Sequence, residues 1–271
     1  MACRKNYRMM NQATEPPQLE NQKTDTSVSV TREPVVRLLF GVDSAVPSHD
    51  VLQNNLTEFE WVTRNKVYPN FWGRNLTGED RLTREEIDFL HSQACKIAAI
   101  YQDSVEKQTE EQGEFSAQKA AAIALELGIP QGAGIFLEIK EAESISWEYL
   151  FGFAEGMLSE GYTPGFRANT DAKFGFDEAF SRGMQVKKEV FGKCLIWAVA
   201  PTIKEYDQMT TTHLIHPDNW MPYAPSGTTR KEIAIWQYGK NCHPIEDDMG
   251  KATAFHLDLV RNEQIITEKM F

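Results

Sequence analysis

The chain has 271 residues, 41% of them hydrophobic and 25% charged, an ordinary composition for a protein that folds in water. Its net charge of −11, without any cluster of Lys and Arg, argues against nucleic acid as a partner, because phosphate binding needs such clusters. No run reaches the roughly 18 apolar residues of a membrane span, so no membrane partner is expected. Arg4, Lys5 and Arg8 are not followed by an apolar segment, so no secretory signal is read and the cytoplasm is the default expectation. Release by lysis or a non-classical route is the alternative. Cys3, Cys95, Cys194 and Cys242 lack C-x-x-C spacing, and Cys95 and Cys194 read as buried thiols.

Residues 1–34 are polar, carry Pro16-Pro17 and have no periodicity, the composition of a disordered tail. A single domain is expected over 35–271. Val35–Asp43 reads as the first strand, ending at an acid, and Ser48 as the cap of a short helix through Leu56. Lys66–Trp72 reads as the second strand. Thr83-Arg-Glu-Glu86 has capping-box spacing, with Ile87, Leu90 and Ala94 on one face of the helix that follows. Ile97–Tyr101 reads as the third strand. Ser116 opens an alanine-rich helix that Gly128 and Pro130 close.

The fourth strand, Gly134-Ile-Phe-Leu-Glu-Ile-Lys140, alternates Ile135, Leu137 and Ile139 with Phe136, Glu138 and Lys140. A helix over Trp147–Ser159, a strand over Tyr162–Arg167, a helix between Phe176 and Glu189 and a strand over Cys194–Ala200 continue the rhythm. Residues 201–230 are irregular, and strands over Glu232–Tyr238 and Ala254–Val260 bring the count to eight. Eight strands with helices in most gaps fit a (β/α)8 TIM-type barrel, although the last gaps look too short or irregular for full helices. An open doubly wound sheet is the alternative, without the Gly-rich loop expected after its first strand.

The order of Gly41-Val-Asp43, Phe71-Trp-Gly-Arg-Asn75, Ile135–Glu138, Gly161-Tyr-Thr-Pro-Gly165, Ile196-Trp-Ala198, Trp236-Gln-Tyr238 and Leu257-Asp258 resembles the glycoside-hydrolase-like barrel domain related to family 25 lysozymes. The resemblance spans about Leu38 to Val260. It implies a TIM-type barrel, no cofactor, and cleavage of the β-1,4 bond in peptidoglycan by two carboxyl groups, one of which must hold a proton. The family pattern is an Asp ending the first strand, Asp-x-Glu ending the fourth and an Asp near the eighth. Asp43 matches the first position and Asp258 the last, beside His256. Glu138 stands where the family has Asp, and Lys140 stands where it has its catalytic Glu.

Residues two apart on a strand share a face, so Glu138 and Lys140 are expected to form an ion pair that lowers the carboxyl pKa, the reverse of what a general acid needs. Glu141 or Glu143 could replace the acid if the loop turns inward. Asp43, Glu138, Asp258 and Glu141 are therefore the catalytic candidates. Trp72, Arg74, Tyr101, Trp197, Trp236 and Gln237, on or ending strands, are the substrate-binding candidates, with core packing or a structural ion pair as the alternative for each. His213-x-x-His216 with Cys242-His243 does not form a standard zinc pattern, so no metal is assigned. Two readings remain open: an enzyme acting on N-acetylated, peptidoglycan-type glycan, or a catalytically silent barrel that binds glycan or protein.

Overall fold

A computed structural model describes residues 37–51, 55–64, 68–104, 107–140, 144–203, 208–209, 217–244 and 255–271, with 208–209 and 243–244 described by backbone alone. The N-terminal tail, Glu141, Glu143, His213 and His216 lie outside these residues. No helix among the described residues is long and apolar enough to cross a membrane.

Chain order is β1 (Leu39–Ser44), α1 (Glu58–Thr63), β2 (Phe71–Asn75), α2 (Arg84–Ser92), β3 (Lys96–Tyr101), α3 (Glu110–Leu127), β4 (Gly134–Glu138), α4 (Trp147–Ser159) and β5 (Thr163–Ala168). Then come α5 (Gly175–Val186), α6 (Lys188–Phe191), β6 (Leu195–Val199), the two-residue β7 (Gln208–Met209), β8 (Ile235–Pro244), β9 (Phe255–Val260) and α7 (Glu263–Lys269). β1 to β6 and β8 run parallel, and β9 closes the ring antiparallel between β8 and β1. The result is a closed eight-stranded α/β barrel. Its eighth strand, β9, is antiparallel: only ten residues lie between Pro244 and Phe255, fewer than the dozen or so that a parallel crossover needs.

Two apolar layers follow from the strand period. One set of residues, including Phe71, Ile100, Phe136, Trp197 and Ile235, fills the barrel interior. The alternate set, including Val42, Trp72, Ile97, Tyr101, Leu137 and Trp236, packs under the helices. Parallel strands buried on both faces read as continuous apolar runs for this reason.

Several local expectations shift. Among the described residues from Ser48 to Leu56 there is no helix. Thr57 instead caps α1 in a full capping box with Glu60. At α2, Thr83 accepts from the backbone N–H of Glu86 as its spacing requires, but the Glu86 carboxylate is drawn away to Arg74. α3 begins at Glu110, capped by Thr109, six residues before Ser116. Ser116 Oγ instead bonds Asp103 at 2.5 Å, tying the helix to the residues that follow β3. The helix expected between Phe176 and Glu189 is broken at Lys187, whose φ of −136° and ψ of 47° are not helical and separate α5 from α6.

Candidate functional site at the barrel mouth

The C-terminal ends of barrel strands carry side chains that point in and up, and this is where TIM-type barrels hold their sites. Register decides which residues reach it. Asp43 is paired with Gly73, so the two share the inner face. A Cβ on Gly73 would lie 2.5 Å from the Asp43 Cβ and 2.6 Å from the Trp197 ring. Glycine there leaves Asp43 its place.

At the centre sits Arg167, at the end of β5. Its Nη1 donates to Glu138, and its Nη2 donates to Asp43 Oδ1 at 3.0 Å and to the Gln237 side-chain carbonyl. Below, the guanidinium carbon lies 5.3 Å from the centre of the Trp197 ring, a cation–π geometry. Glu138 also accepts from the Gln102 amide. One guanidinium thus bridges two carboxylates. Burial alone would raise the Asp43 carboxyl, but Arg167, His256 and a hydrogen bond with Asp258 outweigh it and hold Asp43 below the usual range.

Asp258 is the complement. It is fully buried and accepts from Trp197 Nε1 at 2.8 Å. Its Oδ2 has no partner as an acceptor. Burial and the neighbouring Asp43 push its pKa well upward. The shift favours its protonated form. The side chain lies beneath the mouth, closed to solvent.

His256 stands opposite Asp43 on β9, its Nε2 4.0 Å from Asp43 Oδ1. The backbone N–H of Asn241 donates to Nδ1 at 3.0 Å, so the ring proton is on Nε2 and faces the carboxylate. Burial lowers the His256 pKa more than Asp43 raises it, and the imidazole is neutral near pH 7.

The expected Glu138–Lys140 ion pair does not form. β4 ends at Glu138, so Lys140 no longer follows the pleat and its side chain is exposed. Arg167 is instead the direct cross-strand neighbour of Glu138, closer than a residue two along the same strand. The ion pair expected of Glu138 forms with a different cation.

Four of the six substrate-binding candidates point away from the mouth. Trp72 and Arg74 flank the inward Gly73 and face the helices: Trp72 packs at a tilt against Phe59 of α1, and Arg74 pairs with Glu86 of α2 at 2.8 Å, both side chains fully buried. The other Arg74 nitrogens donate to the carbonyls of Ser44, Ala45 and Asp80, pinning the segments that leave β1 and β2. Tyr101 stacks on Phe153 of α4, and Trp236 donates to the Ala200 carbonyl under Trp220. Trp197 and Gln237 do face inward, Trp197 as the buried floor and Gln237 against Arg167. Aromatic stacking on a sugar is therefore unavailable from these Trp rings, since each is fully buried.

Above the network lies an open pocket of about 280 Å³, with Glu138, Lys140, Arg167, Gln237, Lys240 and His256 in its lining. Arg167 and Gln102 were not singled out from the sequence. The rule that selected Asp43, a polar residue closing a barrel strand on its inner face, selects both.

Comparison with known proteins places this arrangement. Residues 67–258 match the family described as Rv2525c-like, glycoside hydrolase-like domain. No curated protein matches the chain. Among solved structures, an uncharacterised protein of B. stearothermophilus is 24% identical, with a TM-score of 0.68, over 86% of this chain and 100% of that one. GHIP, a glycosyl hydrolase 25 of Streptococcus pneumoniae, is 12% identical, with a TM-score of 0.51, over 86% of this chain and 92% of its own. The bacterial lysozyme from Streptomyces coelicolor is 9% identical, with a TM-score of 0.50, over 84% and 95%. At these identities the likeness is one of fold.

Proposed function

We propose, for a chain that belongs to the Rv2525c-like, glycoside hydrolase-like domain family, that the barrel mouth binds N-acetylated glycan of the peptidoglycan type. Glu138, Gln237 and the amide-bearing side chains around them would meet the sugar by hydrogen bonds. One observation carries the preference for binding over cleavage: Arg167 bridges Asp43 and Glu138. Two-carboxylate hydrolysis needs a proton on a carboxyl that can reach the glycosidic oxygen. The Arg167 guanidinium occupies both mouth carboxylates, and Asp258, whose pKa burial and Asp43 push upward, is closed off beneath them.

Cleavage is the second reading. It is favoured by the position of Asp43 and Glu138, two carboxyls at strand ends of a glycoside-hydrolase-like barrel, held by one guanidinium, with Glu138 lining the open pocket. The experiment sediments purified cell walls with the protein and measures released reducing ends, for wild type, Glu138→Gln, Asp43→Asn and Lys140→Glu. Wall binding that weakens in Glu138→Gln, with no reducing ends released, supports the binding reading. Reducing ends that vanish in Asp43→Asn would replace it with hydrolysis. Cleavage gained only in Lys140→Glu supports a silent barrel whose missing acid has been restored. Neither binding nor cleavage in any variant overturns the glycan assignment.

A further inference from the structure

Three side chains of the mouth pocket are placed by register around one guanidinium. Arg167 of β5 donates from Nη1 to Glu138 of β4 on one side, and from Nη2 to Gln237 of β8 on the other. Val199 ends β6, which lies between β5 and β8. It stands two residues past the inward Trp197, so it shares that face. It is also the direct register partner of Gln237. Glu138, Val199 and Gln237 all line the pocket.

Their hydrogen-bonding polarity is fixed. Arginine offers only donors, so the Gln237 atom that meets Arg167 is its carbonyl oxygen. The amide NH2 group is turned the other way and has no partner among the described residues. Gln237 is 1% exposed, so a group that meets this donor must enter the pocket. Glu138 is the converse. Its two oxygens accept from Arg167 and from Gln102, and each keeps a second lone pair. As the carboxylate of an ion pair it offers acceptors alone.

The pocket thus holds a donor and an acceptor on opposite sides of Arg167, with an apolar side chain beside the donor. A hydroxyl would have to meet both from a single atom. A carboxylate brings no donor for Glu138, and an ammonium brings no acceptor for Gln237. A trans amide points its N–H and C=O in opposite directions, and an acetyl amide puts a methyl group next to the carbonyl.

The geometry points to an acetamido subsite, in which Glu138 accepts the amide N–H, Gln237 donates to the carbonyl oxygen and Val199 meets the methyl group. This rests on the glycan reading above and assigns its selectivity to one substituent of the sugar, whatever else the ring carries. Two hydrogen bonds and one apolar contact should favour an acetamido sugar over its hydroxyl counterpart about tenfold.

The test titrates the full chain by NMR with two β-1,4-linked trimers, one of N-acetylglucosamine and one of glucose, which differ only at that substituent. The result expected is about tenfold tighter binding of the N-acetylated trimer, with a shift of the assigned Gln237 side-chain NH2 signals. The preference should vanish in Gln237→Glu, which keeps an oxygen for Arg167 and turns the donor into an acceptor. It should shrink in Val199→Leu, whose longer side chain fills the place of the methyl group. A thermal melt checks that each variant is folded; should Gln237→Glu not fold, Val199→Leu and the wild-type NH2 signals decide. Equal binding of the two trimers, a preference that survives in the folded variants, or one that leaves the Gln237 signals unmoved overturns the subsite. Wall binding in the sedimentation assay then leaves the glycan reading standing. Binding of neither trimer also overturns the subsite, and the glycan reading falls with it when the walls are not bound either.

Discussion

Arg167 Nη2 lies 3.0 Å from Asp43 Oδ1, joining the ends of β5 and β1 across the barrel and 124 positions of sequence. The side chains are 8% and 6% exposed. A pair this buried is held by what each partner would cost alone, more than by its own net attraction. It also ties together the two sides of the mouth, so its loss should register in stability as well as in binding.

Arg167→Met should therefore destabilise the protein by about 3–5 kcal/mol at pH 7, since two carboxylates lose their cation. The sign with pH follows from Asp43. Its folded pKa lies below the unfolded value, so it contributes stability above the unfolded pKa that is lost as pH falls through the folded one. Without Arg167 that contribution is gone. Urea denaturation should show the wild type and variant converging as pH falls through the carboxylate range. A constant gap from pH 7 to the acid limit would contradict the charge argument.

Asp43 and Asp258 should answer to the same substitution in opposite ways. The raised pKa of Asp258 favours its protonated form, and Asp258→Asn keeps an acceptor for Trp197 and a neutral donor beside Asp43. Its effect on stability at pH 7 should stay within about 1 kcal/mol. Asp43→Asn removes a charge that Arg167 needs and should cost about 2 kcal/mol or more. Equilibrium denaturation of the two variants separates them, and a larger loss for Asp258→Asn would show that Asp258 is the charged member.

Glu58 sets a pH dependence of the other sign. It is buried in α1 beneath the segment that follows β1, accepts from Ser44 Oγ at 3.0 Å, and its pKa is raised to about 8, first by burial. A folded pKa above the unfolded one contributes stability that is full below the unfolded value and is lost as pH rises through the folded value. Between about pH 4.5 and 8 the wild type should lose stability from this group, and Glu58→Gln should flatten the slope. A thermal-melt series from pH 5 to 9 tests it. Parallel profiles for the two proteins would place Glu58 in its ordinary charged state.

A substitution at the helix layer tests the other half of the barrel. α3 and α4 meet where a Cβ on Gly152 would lie 2.0 Å from the Glu110 carbonyl oxygen, a contact with backbone that no rotamer can relieve. Gly152→Ala should cost about 1–3 kcal/mol by forcing the helices apart. An unchanged melting temperature would show that the two helices separate freely.

Local signals in the chain were enough for the barrel itself. Eight apolar runs, the helices between most of them, the αL glycine closing α3 and the order of the strand-end residues are all properties of short segments, because strand period and helix capping act over a few residues. The same signals placed Asp43, Glu138 and Asp258 on strand ends. They also held more than was drawn from them: once Asp43 faces in, Gly73 does too, and the pleat turns Trp72 and Arg74 outward. What no local signal contains is the choice of partner. Glu138 pairs with Arg167 because β4 and β5 are neighbours in register, while Lys140, two residues away in sequence, leaves the sheet. Asp258 has its pKa pushed upward because closing the barrel buries it beside Asp43. Gln237 stands beside Val199 because β8 closes in register against β6. Charge states and pairings depend on distances between segments, and only the closed ring of strands decides those.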